Sequence, residues 1–146
     1  MRPRLARDLQ MRDTHDARTK TARPWAVTRV GTHVLTEVDK SASVLDFGAG
    51  HGIQTLRLRE SGFRDVTAFD LKIPDSAGEA CPTTTDTVTL ERRYDVVMAG
   101  NVLNVQSSDD ELGETLRVMT EALSPGGKII ANFPTTPRKH PGIQSS

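Results

Sequence analysis

The chain contains a single cysteine, Cys81, in 146 residues. One thiol excludes an intramolecular disulfide and any zinc site built from several cysteines. No run of 18 apolar residues occurs, so no segment reads as a transmembrane helix. Met1-Arg2-Pro3-Arg4 has no apolar stretch behind it and does not read as a secretory signal. A Gly-Lys-Ser/Thr triplet is missing, which excludes a phosphate-binding P-loop. Internal repeats and long low-complexity segments are also absent. These absences favour one soluble domain in a reducing cytoplasm, outside any membrane.

Net charge is zero, but it is unevenly spread. Residues 1–23 carry seven Arg or Lys against three Asp, a balance of +4. Residues 24–133 carry ten basic against sixteen acidic side chains, a balance of −6. Arg138 and Lys139 add +2 near the other end. Residues 1–22 show little apolar periodicity and read as a basic N-terminal arm. Residues 134–146 read as a Pro-rich basic tail. The organised part is therefore expected over residues 23–133.

Within that part, Val44-Leu45-Asp46-Phe47-Gly48-Ala49-Gly50-His51-Gly52 stands out. A β-prone run leads into alternating glycines, and a helical pattern starts at Ile53. Glycines at 48, 50 and 52 permit positive φ and leave no Cβ in a ligand's path. The helix start points N–H groups and a partial positive charge at the same place. A dinucleotide loop would need its third glycine at Ile53, so that pattern fails.

The remaining elements follow in order. Ala26, Val27, Val30 and Val34 predict a helix over 24–38 with Pro24 in its first turn. Ser43–Phe47 is the first predicted strand, followed by a helix from Ile53 to Ser61 that Gly62 stops. The second strand, Val66–Phe69, ends on Asp70. Residues 71–85 hold Pro74, Gly78, Pro82 and three threonines, leaving room for one helical turn at most. A short third strand is expected within Thr83–Leu90. Tyr94–Gly100 reads as a buried parallel strand, the fourth. Ser107 or Ser108 caps the next helix, whose core face is predicted at Leu112, Leu116, Met119 and Leu123. Ser124-Pro125-Gly126-Gly127 ends it, and Lys128–Phe133 is the fifth strand. Strands alternating with helices predict an α/β fold. In such folds ligands bind beyond the carboxyl ends of the strands, which puts Asn101 and Asn104 at the site.

The stretch D-x-G-x-G-x-G from Asp46 to Gly52, with Asp70 after the second strand, resembles the first motif of class I S-adenosylmethionine-dependent methyltransferases. Leu123-Ser124-Pro125-Gly126-Gly127-Lys128-Ile129-Ile130 is similar to that family's signature before its fifth strand. The resemblance spans residues 23–133. It implies a three-layer, doubly wound, mostly parallel Rossmann-like sheet in the order 3-2-1-4-5. It also implies S-adenosyl-L-methionine as cofactor. Its contacts would then fall at Asp46, Gly48, Ala49, Gly50, Gly52, Asp70, Leu71, Asp86 and Asn101. Asp70 would hold the ribose hydroxyls, Asp46 would anchor the loop and the cofactor's ammonium end, and Asp86 would approach the adenine.

The resemblance is incomplete in two places. The family usually adds a helix and an antiparallel hairpin after its fifth strand, and Pro134–Pro141 does not read as either. The fifth strand is then an open edge, which a homodimer, the arm or the tail could cover. The acceptor stretch Asn101-Val102-Leu103-Asn104-Val105 also lacks the Asp/Asn-Pro-Pro-aromatic motif of adenine and cytosine amino methylation. It is loosely similar to methyltransferases associated with DNA phosphorothioation clusters. Cys81 is not placed to act as a cytosine C5 nucleophile.

Three functions fit the residues. The first is methyl transfer to a nitrogen, oxygen or sulfur acceptor positioned by Asn101 and Asn104. The second is a cofactor-binding module without transfer, acting as a sensor or as partner of a larger enzyme. The third is another Rossmann-like nucleotide binder. His51 and His140 are the only candidate bases, and no metal site is expected. Nucleic acid is a candidate partner through the basic ends.

Overall fold

The computed structural model describes residues 28–132. The basic arm, Pro24, Trp25, Phe133, His140 and the Pro-rich tail lie outside these residues. The described elements run α1 (Arg29–Glu37), β1 (Ser43–Phe47), α2 (Ile53–Glu60), β2 (Asp65–Phe69), β3 (Tyr94–Ala99), α3 (Asp109–Glu121) and β4 (Leu123–Ala131). Short 3-10 turns lie at Thr87–Glu91 and Leu103–Val105. The strands form one parallel sheet in the order β2-β1-β3-β4.

A parallel sheet must be covered on both faces. Along β1 and β3 the side chains alternate between two cores, as the two-residue period requires. Val44, Val96 and Met98 face one way and pack with Val30 and Val34 of α1 and Leu58 of α2. Leu45, Phe47, Val97 and Ala99 face the other way and meet Val118 and Met119 of α3. The result is the expected three-layer α/β arrangement.

Five strands were expected, and the described sheet has four. The expected third strand is reduced to one parallel bridge between Phe69 and Thr84. Its position beside β2 preserves the predicted order. Pro82 has no N–H to extend the pairing. Beyond Thr84 the chain turns away, because Asp86 caps the 3-10 turn by accepting from Val88 N at 3.0 Å.

Two boundaries and one buried face also differ. Helix α1 begins at Arg29 rather than Pro24, because Thr28 is extended and its hydroxyl accepts from Gly31 N at 2.8 Å. Strand β4 begins at Leu123, opposite Tyr94, and a register shift passes over Ser124–Gly127 before Lys128 meets Val96. The buried face of α3 is Thr115, Val118 and Met119, with Leu112 and Leu116 only partly covered. Ser108 caps α3, accepting from Glu111 N at 3.1 Å.

Register places the site. Phe47 lies opposite Phe69, Asp46 opposite Met98, and Ala99 opposite Ala131. All four strands therefore finish along one edge of the sheet, and the glycine loop, Asp70, Asn101 and Asn132 emerge there together.

Candidate functional site

The glycine loop folds as its residue types dictate. Gly48, Gly50 and Gly52 take φ of +74°, +56° and +77°. Space is also short at two of them. A Cβ on Gly48 would lie 2.5 Å from Val102 Cγ2, and one on Gly52 would lie 2.6 Å from Pro82 Cδ. Conformation and close approach both require glycine there.

Much of the loop's hydrogen bonding is internal to the protein. Gly48 N and Ala49 N both donate to Phe69 O, at 2.8 and 3.0 Å. Gly50 N donates to Asp70 Oδ2 at 2.7 Å, and Leu71 N donates to Asp70 Oδ1 at 2.7 Å. Asp70 is only 1% exposed. Its carboxylate therefore ties the first turn after β2 to the glycine loop. Asp46 is buried at the end of β1 and accepts from the Thr55 hydroxyl of α2 at 2.8 Å. Thus Asp46, Gly48, Ala49, Gly50, Gly52, Asp70 and Leu71 are brought together as the sequence implied.

Residues 71–85 strap across this loop without forming a helix. Thr83 is buried and donates to Gly50 O at 2.8 Å. Cys81 Sγ lies 3.3 Å from His51 O. His51 Nε2 pairs with Ser76 Oγ at 2.7 Å. The Gly50 peptide is thereby held on both sides, by Asp70 at its N–H and by Thr83 at its carbonyl. Thr83 and Thr55 escaped the sequence reading. A threonine among three in a row carries no local signal, and Thr55 shows only as a polar residue on the helix following the loop.

Beyond β3 the chain crosses over the glycine loop. Val102 packs against Gly48, and its carbonyl accepts from Gln106 Nε2 at 3.0 Å. Gln106 Oε1 in turn accepts from Thr115 Oγ1 at 3.0 Å. Asn101 stands exposed at the rim with φ +59°. Asn104 lies on the adjoining turn, and its side chain is outside the described structure. Asp86 faces Val88 N within its own turn, as described above.

The electrostatics around this loop are selective. Two buried carboxylates flank a loop in which several amides already have partners. A phosphate there would meet negative charge with few donors to offset it. A ligand with a positive centre and hydroxyl donors suits the same groups. Among the described residues, no three His, Cys, Asp or Glu side chains are grouped to hold a metal. No described helix is long and apolar enough to cross a membrane.

Comparison with known proteins agrees with this geometry. A family model described as a methyltransferase domain matches residues 16–141. The chain belongs to the methyltransferase-domain family. No curated protein matches it significantly. Among solved structures, this methyltransferase domain is similar to 1,6-didemethyltoxoflavin-N1-methyltransferase from Burkholderia thailandensis, solved with 1,6-didemethyltoxoflavin and S-adenosylhomocysteine. Identity is 27% and the TM-score 0.57, over 80% of this chain and 55% of that one. The sugar N-methyltransferase KedS8 from Streptoalloteichus sp shares 23% identity, with a TM-score of 0.54, over 80% of this chain and 51% of its own. N-methyltransferase NodS from Bradyrhizobium japonicum, solved with S-adenosylhomocysteine, shares 18% identity, with a TM-score of 0.51, over 85% and 68% respectively. The chain spans about half the length of the first two. The last two likenesses are of fold.

Proposed function

We propose that this methyltransferase domain binds S-adenosyl-L-methionine at the Asp46–Gly52 loop and passes its methyl group to a nitrogen, oxygen or sulfur acceptor. The observation that carries this reading is the pairing of a loop whose glycines at 48, 50 and 52 all take positive φ with two buried carboxylates, Asp46 and Asp70. These residues fit the cofactor's positive end and ribose diol better than a pyrophosphate. When bound, the cofactor supplies a methyl group on a positive sulfur, already activated for in-line displacement.

The chain's own residues bind and orient. Asp70 accepts the ribose hydroxyls while keeping its bonds to Gly50 N and Leu71 N, since a carboxylate has about four lone-pair sites. Gly48, Ala49, Gly50 and Gly52 form the floor, Leu71 adds an apolar side, and Asp86 approaches the adenine edge. Asn101 and Asn104 orient the acceptor at the rim, where alignment supplies most of the acceleration. A nitrogen acceptor is the first to test, given the N1-methyltransferase named above.

A second reading is a cofactor-binding module without transfer. It is favoured by the carboxamide of Asn101, which is already engaged by Asn132. We also place the protein in the cytoplasm and take nucleic acid as a candidate partner. A homodimer is the proposed cover for the outer edge of β4, which is unpaired among the described residues.

Calorimetry with S-adenosylhomocysteine and NAD tests binding: the first should bind and the second should not compete. Tight binding of NAD alone would sink the assignment. Radiolabelled S-adenosylmethionine, offered with nucleic acid, protein extract or small metabolites, separates the two readings. Only transfer produces S-adenosylhomocysteine together with a labelled acceptor.

A further inference from the structure

Asn101 is the one residue other than glycine with positive φ among the described residues, at +59°. Side chains rarely adopt that backbone, although asparagine tolerates it better than most. Such a conformation persists when its surroundings over-determine it. Here the determinant is Asn132, just past β4. Asn101 N donates to Asn132 Oδ1 at 2.6 Å, and Asn132 Nδ2 donates to Asn101 Oδ1 at 2.8 Å. The two carboxamide contacts form a ring that fixes both the backbone and the side chain of Asn101.

The neighbours of Asn101 are fixed as well. A Cβ on Gly100 would lie 3.4 Å from Thr28 Oγ1, so the chain passes close to the start of α1. Val102 is buried against Gly48. The left-handed turn at Asn101 therefore swings the chain from β3 across the glycine loop between two close contacts. A change of φ at 101 would move Val102 relative to Gly48 and alter the wall of the loop.

We propose that Asn132 is a positioning residue: by clamping Asn101 in its left-handed conformation, it sets the wall that the Gly100–Val102 turn presents to the glycine loop. This inference rests on the reading of that loop as the S-adenosylmethionine site. Asn132 itself touches neither cofactor nor acceptor in this role.

The test is a double-mutant cycle read by S-adenosylhomocysteine affinity, with melting temperatures measured alongside. Glycine adopts positive φ without help. Asn132→Ala should therefore weaken binding by about fivefold with Asn101 present, and by less than about twofold in the Asn101→Gly background, because contacting residues couple. Amide hydrogen exchange at Asn101 should also accelerate in Asn132→Ala. A lowered melting temperature with unchanged affinity would make the pair a simple staple of strand ends and overturn the proposal. An equal loss in both backgrounds would overturn it too. If the wild-type protein does not bind S-adenosylhomocysteine, the cofactor reading fails first and this inference with it.

Discussion

At the scale of single residues, Asp70 is the most informative position. The sequence suggested a ribose-binding carboxylate and nothing more. The structure adds that both its oxygens accept from loop amides while it is almost completely buried. Hydrogen bonds to a charged group contribute roughly 1.5–3 kcal/mol each. Asp70→Ala is thus expected to do two things. It should lower S-adenosylhomocysteine affinity by more than about tenfold, equivalent to about 1.4 kcal/mol. It should also lower the unfolding free energy by at least about 1.5 kcal/mol in urea titration, because Gly50 N and Leu71 N lose a charged acceptor. Unchanged affinity would remove Asp70 from the cofactor site. The glycines and both acids were legible because their pattern is local: acid and glycine alternate within seven residues, and the second acid closes the next strand. Thr83 and Asn132 were not legible, since each acts through a partner 33 or 31 positions away. No sequence window contains such a pair.

Secondary-structure elements were legible wherever one physical signal dominated. The apolar run Val96-Val97-Met98-Ala99 of β3 and the serine cap with three acids opening α3 are examples. Signals in conflict misled. Pro24 suited a helix start, but the Thr28 cap placed the start of α1 later. Pro82 and the Asp86 cap cut the predicted third strand down to one bridge. The amino ends of three strands are tied by one side chain, Asp95. Its Oδ2 accepts from Ser43 N at 2.9 Å, and its Oδ1 accepts from Ser124 Oγ at 3.3 Å. The Ser43 amide bond holds the Asp95 carboxyl below its ordinary range. A carboxyl whose folded pKa is depressed adds stability above its unfolded pKa, and loses it as pH falls through the folded value. The loss therefore begins near about pH 4 and grows below it. Asp95→Asn should be less stable than wild type at pH 7, with the gap narrowing steadily in melts taken from pH 5 to pH 2. Parallel curves across that range would show that Asp95 titrates alike in the folded and unfolded chain.

For the molecule as a whole, charge and chain path point the same way. Thr28 and Asn132, where the described residues begin and end, both border the Gly100–Asn101 turn. Along the sequence, residues 1–23 carry +4 and Arg138 and Lys139 carry +2, and these segments join the described part at its two ends, while residues 24–133 carry −6. Basic charge concentrated in the terminal segments of a neutral chain can attract an anionic partner, which total charge alone would hide. Nucleic acid is the partner to test, because phosphates neutralised by lysine and arginine release counterions and leave a salt signature. Removing residues 1–20 and replacing Arg138 and Lys139 by glutamate should leave S-adenosylhomocysteine affinity largely intact. The same changes should weaken binding to single- and double-stranded DNA and RNA, and flatten the dependence of log affinity on log salt. The flattening is the stronger criterion, since a lost shape contact would lower affinity without changing the slope. If the intact protein shows no binding to any of these nucleic acids at low salt, the basic ends serve some purpose other than nucleic-acid capture.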